Sequence, residues 1–380
     1  MIGLKIRQTL FTSHSGVPRS RQGMRVAELR CSWAFLMLLV FTASIAQGQQ
    51  VSQEIRFSVL GLFHSREFVL EQGGEQVISV AAGEHGGAPS FVLNGEQGHR
   101  QIAFRVAADR VIAGDKSATS WTATARNGGA VALRLSVPAK IRRQYLGRVT
   151  VRARNGELIA VVSMDRETAV ASIVAAEMDE GSPVEALKAQ AIATRSFLAA
   201  GARHVDFDFC DSTHCQFLKA APPSNSRVSS AVKATRGLIM QYRNRPLAAL
   251  YSSRCGGHTR SLSDTNLEPG DGYPYYAVVC RWCQQHPFVW RSRVGNSGHA
   301  PRSGDEKQRI ADARQWGWSA IPSSDFTATA DGEGWQLEGH SVGHGIGMCQ
   351  QGAVGMANSG AGFREILDHY YPNTTLVLEP

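Results

Sequence analysis

From residue 51 to about residue 150, apolar and polar positions alternate with the two-residue period of strands. Ile55–Leu62, Gln76–Val80 and Ala130–Leu135 each set one apolar face against one polar face. Turns rich in Gly and Asn separate them: Gly86-Gly87, Asn94-Gly95 and Asn127-Gly128-Gly129. Tyr145–Val162 reads as a long hairpin whose Asn155-Gly156 pair suits a type I′ turn. The period then changes. Thr168–Ala200 spaces its apolar residues as two helices joined by a tight acidic turn, the second opening with Ser182 as N-cap, Pro183 at the first helical position and Glu185 three residues after Ser182. Gly201 is placed to stop it. Residues 204–285 mix short strands and loops, with a helix across Ser226–Thr235 and a hairpin running from Leu238–Tyr242 to Leu247–Ser252. Residues 295–335 show little period, and Trp316, Trp318 and Trp335 there suit either core packing or platforms for sugars. Phe363–Tyr371 closes the chain as a helix before Pro372. The pattern predicts an α+β fold: a β-rich N-terminal region over 51–140, then a mixed helical and strand region over 141–380 built around the helix pair.

The most apolar run is Ser32–Phe41, preceded by Arg25 and Arg30 and followed by the small residues Ala43-Ser44-Ile45-Ala46. Basic flank, short apolar core and small residues describe a signal peptide over 1–46, with a retained anchor as the alternative. Met24 is the more typical start for such a leader, and a misplaced start codon is one reading of residues 1–23. The run is short for a stable span, so the mature chain is expected to be exported to the periplasm or cell envelope with no membrane helix. The net charge of +8 includes six cations and one acid in this leader, so the mature chain carries only +3. That balance, with no basic-aromatic array, argues against nucleic acid as a partner.

Glu177 follows the apolar run Ile173-Val174-Ala175-Ala176 and precedes Met178. A carboxyl group with apolar neighbours at a helix end suits a proton donor, because desolvation raises its pKa; a solvated surface Glu is the other reading. Lys188 and Arg195 are seven residues apart and border the seam of Leu187, Ala191, Thr194 and Leu198. They either snorkel to solvent or line a groove for polar groups beside Glu177. His204, Cys210, His214 and Cys215 supply the donors of a tetrahedral zinc site, with a Cys210–Cys215 disulfide as the rival. Cys280-Arg281-Trp282-Cys283 suits a disulfide, half of a second metal site, or a pairing with Cys255, but lacks the context of a redox motif. The glycine-rich stretch Gly339–Gly352 matches no nucleotide-binding pattern, and brings backbone close to a ligand or another segment.

Four ordered blocks resemble the stage II sporulation protein D family, over a span from about Arg142 to the C-terminus. They are Glu177-Met178 followed by Pro183 and Glu185–Ala191; Phe209–Gln216; Tyr251–Thr259; and Gly343–Ala353. The resemblance implies a bacterial cell-wall protein, and specifically a lytic transglycosylase that cleaves the bond between N-acetylmuramic acid and N-acetylglucosamine in peptidoglycan glycan strands, intact or stripped of stem peptides. It makes 141–380 the catalytic region and Glu177 the single acid/base. By the same resemblance Lys188, Arg195, Tyr251 and His344 line or orient the glycan, with His344 alternatively bonding Glu177. His204, Cys210, His214 and Cys215 then carry zinc, with a structural role. Family members often have Ser and Tyr where this chain has Cys349 and Gln351. Two other functions stay open: a non-catalytic wall-binding protein that enhances an amidase, and a zinc-dependent wall amidase.

Overall fold

A computed structural model describes residues 54–85, 87–94, 99–296 and 300–379. The expected leader, with Met24 and Cys31, lies outside these residues, as do Gly86 and Gly95 of the expected turns. Twelve strands build the first part: β1 (Glu54–Val59), β2 (Glu67–Gln72), β3 (Ile78–Ala82), β4 (Phe91–Leu93), β5 (Gln101–Ala107), β6 (Arg110–Ala113), β7 (Lys116–Ala118), β8 (Ser120–Ala125), β9 (Val131–Val137), β10 (Ile141–Arg154), β11 (Glu157–Asp165) and β12 (Phe209–Cys210). They join in the order β12-β1-β11-β10-β9-β2-β5-β6-β7, with β8 linking β10 to β3 and β4 beyond it. The sheet is organised by β10. Ile141–Gly147 pairs with β9, whereas Arg148–Arg154 pairs with β11 and Val149–Arg152 with β8. Alternation does what the sequence predicts: Val131, Leu133, Leu135 and Val137 of β9 are buried, as are Tyr145, Val149 and Val151 of β10. Each such aliphatic side chain contributes about 1.5–3 kcal/mol by leaving water. Asn155 and Gly156 turn the β10–β11 hairpin with φ of 51° and 77°, the double positive φ of a type I′ turn. The expected boundary at 140/141 therefore falls between β9 and β10 inside one continuous sheet.

The helices follow, with α1 (Arg166–Glu177), α2 (Val184–Ala199), α3 (Arg227–Ala234), α4 (Arg281–Gln285), α5 (Glu306–Trp316), α6 (Gln350–Asn358) and α7 (Phe363–Tyr370). No loop separates β11 from α1. Asp165, the last residue of β11, caps the helix by accepting from the Glu167 and Thr168 N–H groups at 2.9 and 3.2 Å. α2 begins one residue later than expected. Pro183 stands at its cap, because the Ser182 N–H closes the preceding turn onto Asp179 O at 3.0 Å. Its alanines 186, 189, 191 and 193 are fully buried, and their small size lets α1, α3, α6 and α7 pack closely around it. A small three-stranded sheet of Trp290–Gly295, Phe326–Asp331 and Gly334–Gly339 has a core of its own. Trp316 and Trp335 pack against that core, whereas Trp318 is exposed. Among the described residues, no helix is long and apolar enough to cross a membrane.

Arg195 departs from the expectation of a groove residue. It is fully buried, and its Nε and Nη2 donate to both carboxylate oxygens of Glu167 at 2.7 and 2.8 Å. Nη1 donates to Leu238 O at 3.1 Å. All three nitrogens of the guanidinium are bonded within the protein and none is exposed to the cleft, so it ties α1, α2 and the strand Leu238–Tyr242 together instead of meeting a ligand. Lys188 likewise points away from the cleft, pairing with Glu185 at 2.6 Å and lying 5.8 Å from the Phe363 ring centre. Arg195→Met is expected to lower unfolding free energy by about 3–5 kcal/mol in urea titrations, because it strands the Glu167 charge. Arg195→Lys should recover only part of this, since an ammonium cannot make the forked pair. A folded, equally stable Arg195→Met protein would return Arg195 to the list of ligand-binding residues.

Candidate active site

Glu177 is the last residue of α1, half-buried at the wall of a cavity of about 310 Å³. Its place follows from the chain path: β11 feeds α1 directly, and α1 presents its C-terminal end to the cleft. Burial raises the Glu177 pKa above the ordinary carboxylate value, with a hydrogen bond from Gln350 and the Lys219 charge pulling the other way. The negative end of the α1 dipole also opposes ionisation there. Gln350, rather than His344, is the cavity residue that acts on the Glu177 carboxyl group, and its Nε2 also donates to Gln190 Oε1 at 3.3 Å.

The same cavity is bordered by Tyr251, His344, Gln350, His214 and Cys215. Tyr251 belongs to a two-residue strand, Tyr251–Ser252, that pairs in parallel with Met348–Cys349. That pairing needs the glycine-rich segment to come very close. A Cβ on Gly347, which has a φ of 70°, would collide with Leu250 O. The Tyr251 hydroxyl donates to Gln216 Oε1, and burial pushes its pKa well above the ordinary value, helped by the Glu177 charge. His344 Nδ1 accepts from Ile346 N–H at 3.0 Å, and burial lowers its pKa. The ring is therefore neutral with its proton on Nε2, a donor rather than a cation.

Two more carboxylates border the cavity. Glu306 is buried in a forked pair with Arg309, at 2.5 and 2.9 Å, and Glu268 sits exposed on the rim. Neither resembles Glu177, which is buried without a forked cation. Sequence reasoning missed Gln216, Glu306, Arg309 and Gln350, which reach the cleft from separate segments, and Lys219, whose charge acts on Glu177; only Gln216 and Gln350 lay inside motifs already singled out.

His204, Cys210, His214 and Cys215 converge on a loop next to the cavity, their donor atoms all within 4.8 Å of one another. His204 Nε2 and His214 Nδ1 each stand 3.3 Å from Cys215 Sγ, and His214 Nδ1 lies 3.7 Å from Cys210 Sγ. Both cysteines are free thiols, so the rival disulfide is not formed. Hydrogen bonding between the two sulfurs draws Cys210 below its ordinary pKa and pushes Cys215 above it. Two sulfurs sharing one proton beside two imidazoles fit a tetrahedral metal ion, which would displace that proton. Asp211 anchors the loop to the sheet, accepting from Leu60 N–H at 3.1 Å and from Arg143 at 2.8 Å.

The raised Glu177 pKa has a consequence for stability. The folded state holds that proton more tightly than the unfolded chain, so stability is lost as pH rises from the ordinary carboxylate range through the raised value. Glu177→Gln should therefore melt at a higher temperature than the parent at pH 8, and the gap should shrink at pH 4. A lower melting temperature for the variant at pH 8 would mean that the ionised carboxylate is favoured in the fold.

A family model described as Stage II sporulation protein matches residues 154–242, which hold Glu177 and all four of these metal-type ligands. An uncharacterized protein of Brachyspira hyodysenteriae is 29% identical over 269 residues, covering 62% of this chain and 72% of that relative. The stage II sporulation protein D of Bacillus amyloliquefaciens is 26% identical over 259 residues, covering 56% of this chain and 74% of its own. The amidase enhancer of Bacillus subtilis is 40% identical over a 60-residue stretch, 16% of this chain and 8% of its own. With the motifs in order and the family segment spanning the helix pair and the metal-type loop, the matches support assignment of this chain to the stage II sporulation protein D family.

Proposed function

We propose that this protein is an exported cell-wall enzyme, a lytic transglycosylase that cuts peptidoglycan glycan strands between N-acetylmuramic acid and N-acetylglucosamine. The observation that carries the reading is the environment of Glu177, a carboxyl group at the wall of the cavity whose pKa burial raises above the ordinary carboxylate value. The other buried carboxylate there, Glu306, is neutralised by Arg309. Ordinary glycoside hydrolysis uses a second carboxylate as base or nucleophile. A muramic acid residue can dispense with it by supplying its own C6 hydroxyl at high effective molarity.

Glu177 gives its proton to the glycosidic oxygen as the bond to C1 breaks, and the N-acetylglucosamine leaves with a free 4-hydroxyl. The resulting carboxylate takes the proton of the C6 hydroxyl as O6 bonds to C1. The product ends in 1,6-anhydro-N-acetylmuramic acid, Glu177 is protonated again, and no water is consumed. Gln350 holds the carboxylate in place, while Tyr251 and neutral His344 offer hydrogen bonds to sugar hydroxyls or the acetamido group. A second cavity of about 470 Å³ shares Phe197, Arg203 and His214 with the first, which lengthens the cleft as a polymer requires.

Zinc fits His204, Cys210, His214 and Cys215. Four protein donors close a tetrahedral shell and leave no position for a reactive water, which supports a structural role and speaks against a zinc amidase. The bound ion would stiffen the cleft wall that carries His214 and Gln216. The stretch shared with the amidase enhancer keeps a second reading in view, a wall-binding protein that stimulates an amidase without cutting.

Muropeptide mass spectrometry after incubation with intact and peptide-stripped glycan strands separates these readings. Anhydro-muramic ends are expected from the parent protein, with Glu177→Gln slower by roughly 100-fold or more. Activity surviving in Glu177→Gln but lost on chelation would favour the amidase. Wall binding without new ends from either substrate would favour the enhancer.

A further inference from the structure

Cys255, Cys280, Cys283 and Cys349 are scattered over almost a hundred residues of sequence, yet they meet in the core. All four are free and buried, and their sulfurs lie within 4.8 Å of one another. Cys283 Sγ and Cys349 Sγ are 3.6 Å apart. In a tetrahedral zinc–thiolate centre with Zn–S of about 2.3 Å, neighbouring sulfurs stand about 3.8 Å apart. We propose that these four cysteines bind a second zinc ion, a structural centre separate from the His204–Cys215 loop.

The surroundings are those of thiolate ligands. Cys349 caps α6 and accepts the Gly352 N–H at 3.3 Å, so a helix N-terminus faces its sulfur. The Tyr370 hydroxyl stands 3.4 Å from Cys280 Sγ and can donate to it. Such outer donors orient metal ligands and stabilise their charge. Gly352 leaves the necessary space, since a Cβ there would sit 2.6 Å from Cys280 Sγ and would collide with the Tyr370 hydroxyl. Four buried sulfurs converging on one point match the tetrahedral all-thiolate set that selects zinc or iron–sulfur centres, and sulfurs within 4.8 Å of one another enclose a single ion rather than a cluster, which favours zinc.

The centre has a position with consequences. Cys349 ends the strand Met348–Cys349 that pairs with Tyr251–Ser252, and Gln350, the partner of Glu177, is the next residue. Cys255 lies four residues beyond Tyr251. One ion therefore clamps both segments that present Tyr251 and Gln350 to the cavity.

Native mass spectrometry of the purified full protein is expected to find two zinc ions per chain. The double variant His204→Ala/His214→Ala should keep one of them, and Cys280→Ser/Cys283→Ser should lose one while keeping the other. A His204→Ala/His214→Ala protein with no zinc would overturn the proposal. Should a variant fail to fold, cysteine alkylation in the parent protein decides. With chelator and denaturant but no reductant, Cys255, Cys280, Cys283 and Cys349 should all become alkylated, and they should be protected in the native zinc-loaded protein. Resistance to alkylation in chelator and denaturant would show two disulfides, and equal reactivity with and without chelator in the native protein would show four unligated thiols. Either result defeats the proposal, whatever the outcome with glycan strands.

Discussion

The arrangement of the cleft depends on a buried ion pair between neighbouring helices. Glu167 sits in the first turn of α1 and Arg195 near the end of α2, and their forked contact fixes one helix against the other. A buried charge pair of this kind is costly to desolvate, and here the guanidinium is satisfied by two carboxylate oxygens and by backbone carbonyls of the adjoining segments. Because α1 grows straight out of β11, holding its first turn also holds its last residue, Glu177. The acid is thus positioned by rigid secondary structure on one side, while loops supply its polar neighbours on the other.

Much of this was legible in the chain itself. Alternation located the strands, the Asn155-Gly156 pair located the hairpin turn, and Ser226 and Pro372 bounded their helices. Glu177 could be singled out because an acid follows an apolar helical run. The metal-type loop could be singled out because four donors lie within a dozen residues. What escaped was long-range. Arg195 looked available for a ligand because Glu167, its partner, is 28 residues earlier and gives no local signal. Gln350 and the Glu306–Arg309 pair reach the cavity from distant parts of the chain, and only the fold brings them together. The four cysteines were legible only in part: the C-x-x-C pair and its pairing with Cys255 were open to sequence reading, but Cys349 joins them from almost a hundred residues beyond Cys255.

The cleft divides labour between charged and neutral groups. Of the charged residues that line it, Glu306 is paired with Arg309, while Arg203 and Glu268 stand farther along its wall and rim. What faces the space beside Glu177 is a neutral imidazole, a phenol and two amides. A neutral polar lining suits an uncharged sugar chain and lets a carboxyl group keep its proton, since no forked cation is present to draw it off. Two clusters of metal-type ligands flank this lining, one on the loop of His214 and Gln216 and one behind Tyr251 and Gln350. Stiff walls on both sides are a physical requirement where a single acid has to protonate one oxygen and then receive a proton from another.

The account rests most heavily on the protonation state of Glu177. Carbon-13 labelling of glutamate side chains, with assignment by comparison to Glu177→Gln, allows its carboxyl group to be titrated directly in the folded protein. The account predicts a midpoint clearly above the ordinary glutamate value of about 4.3. A midpoint at or below that value would mean the group is ionised at the pH where it is asked to act as an acid, and would contradict the mechanism at its first step.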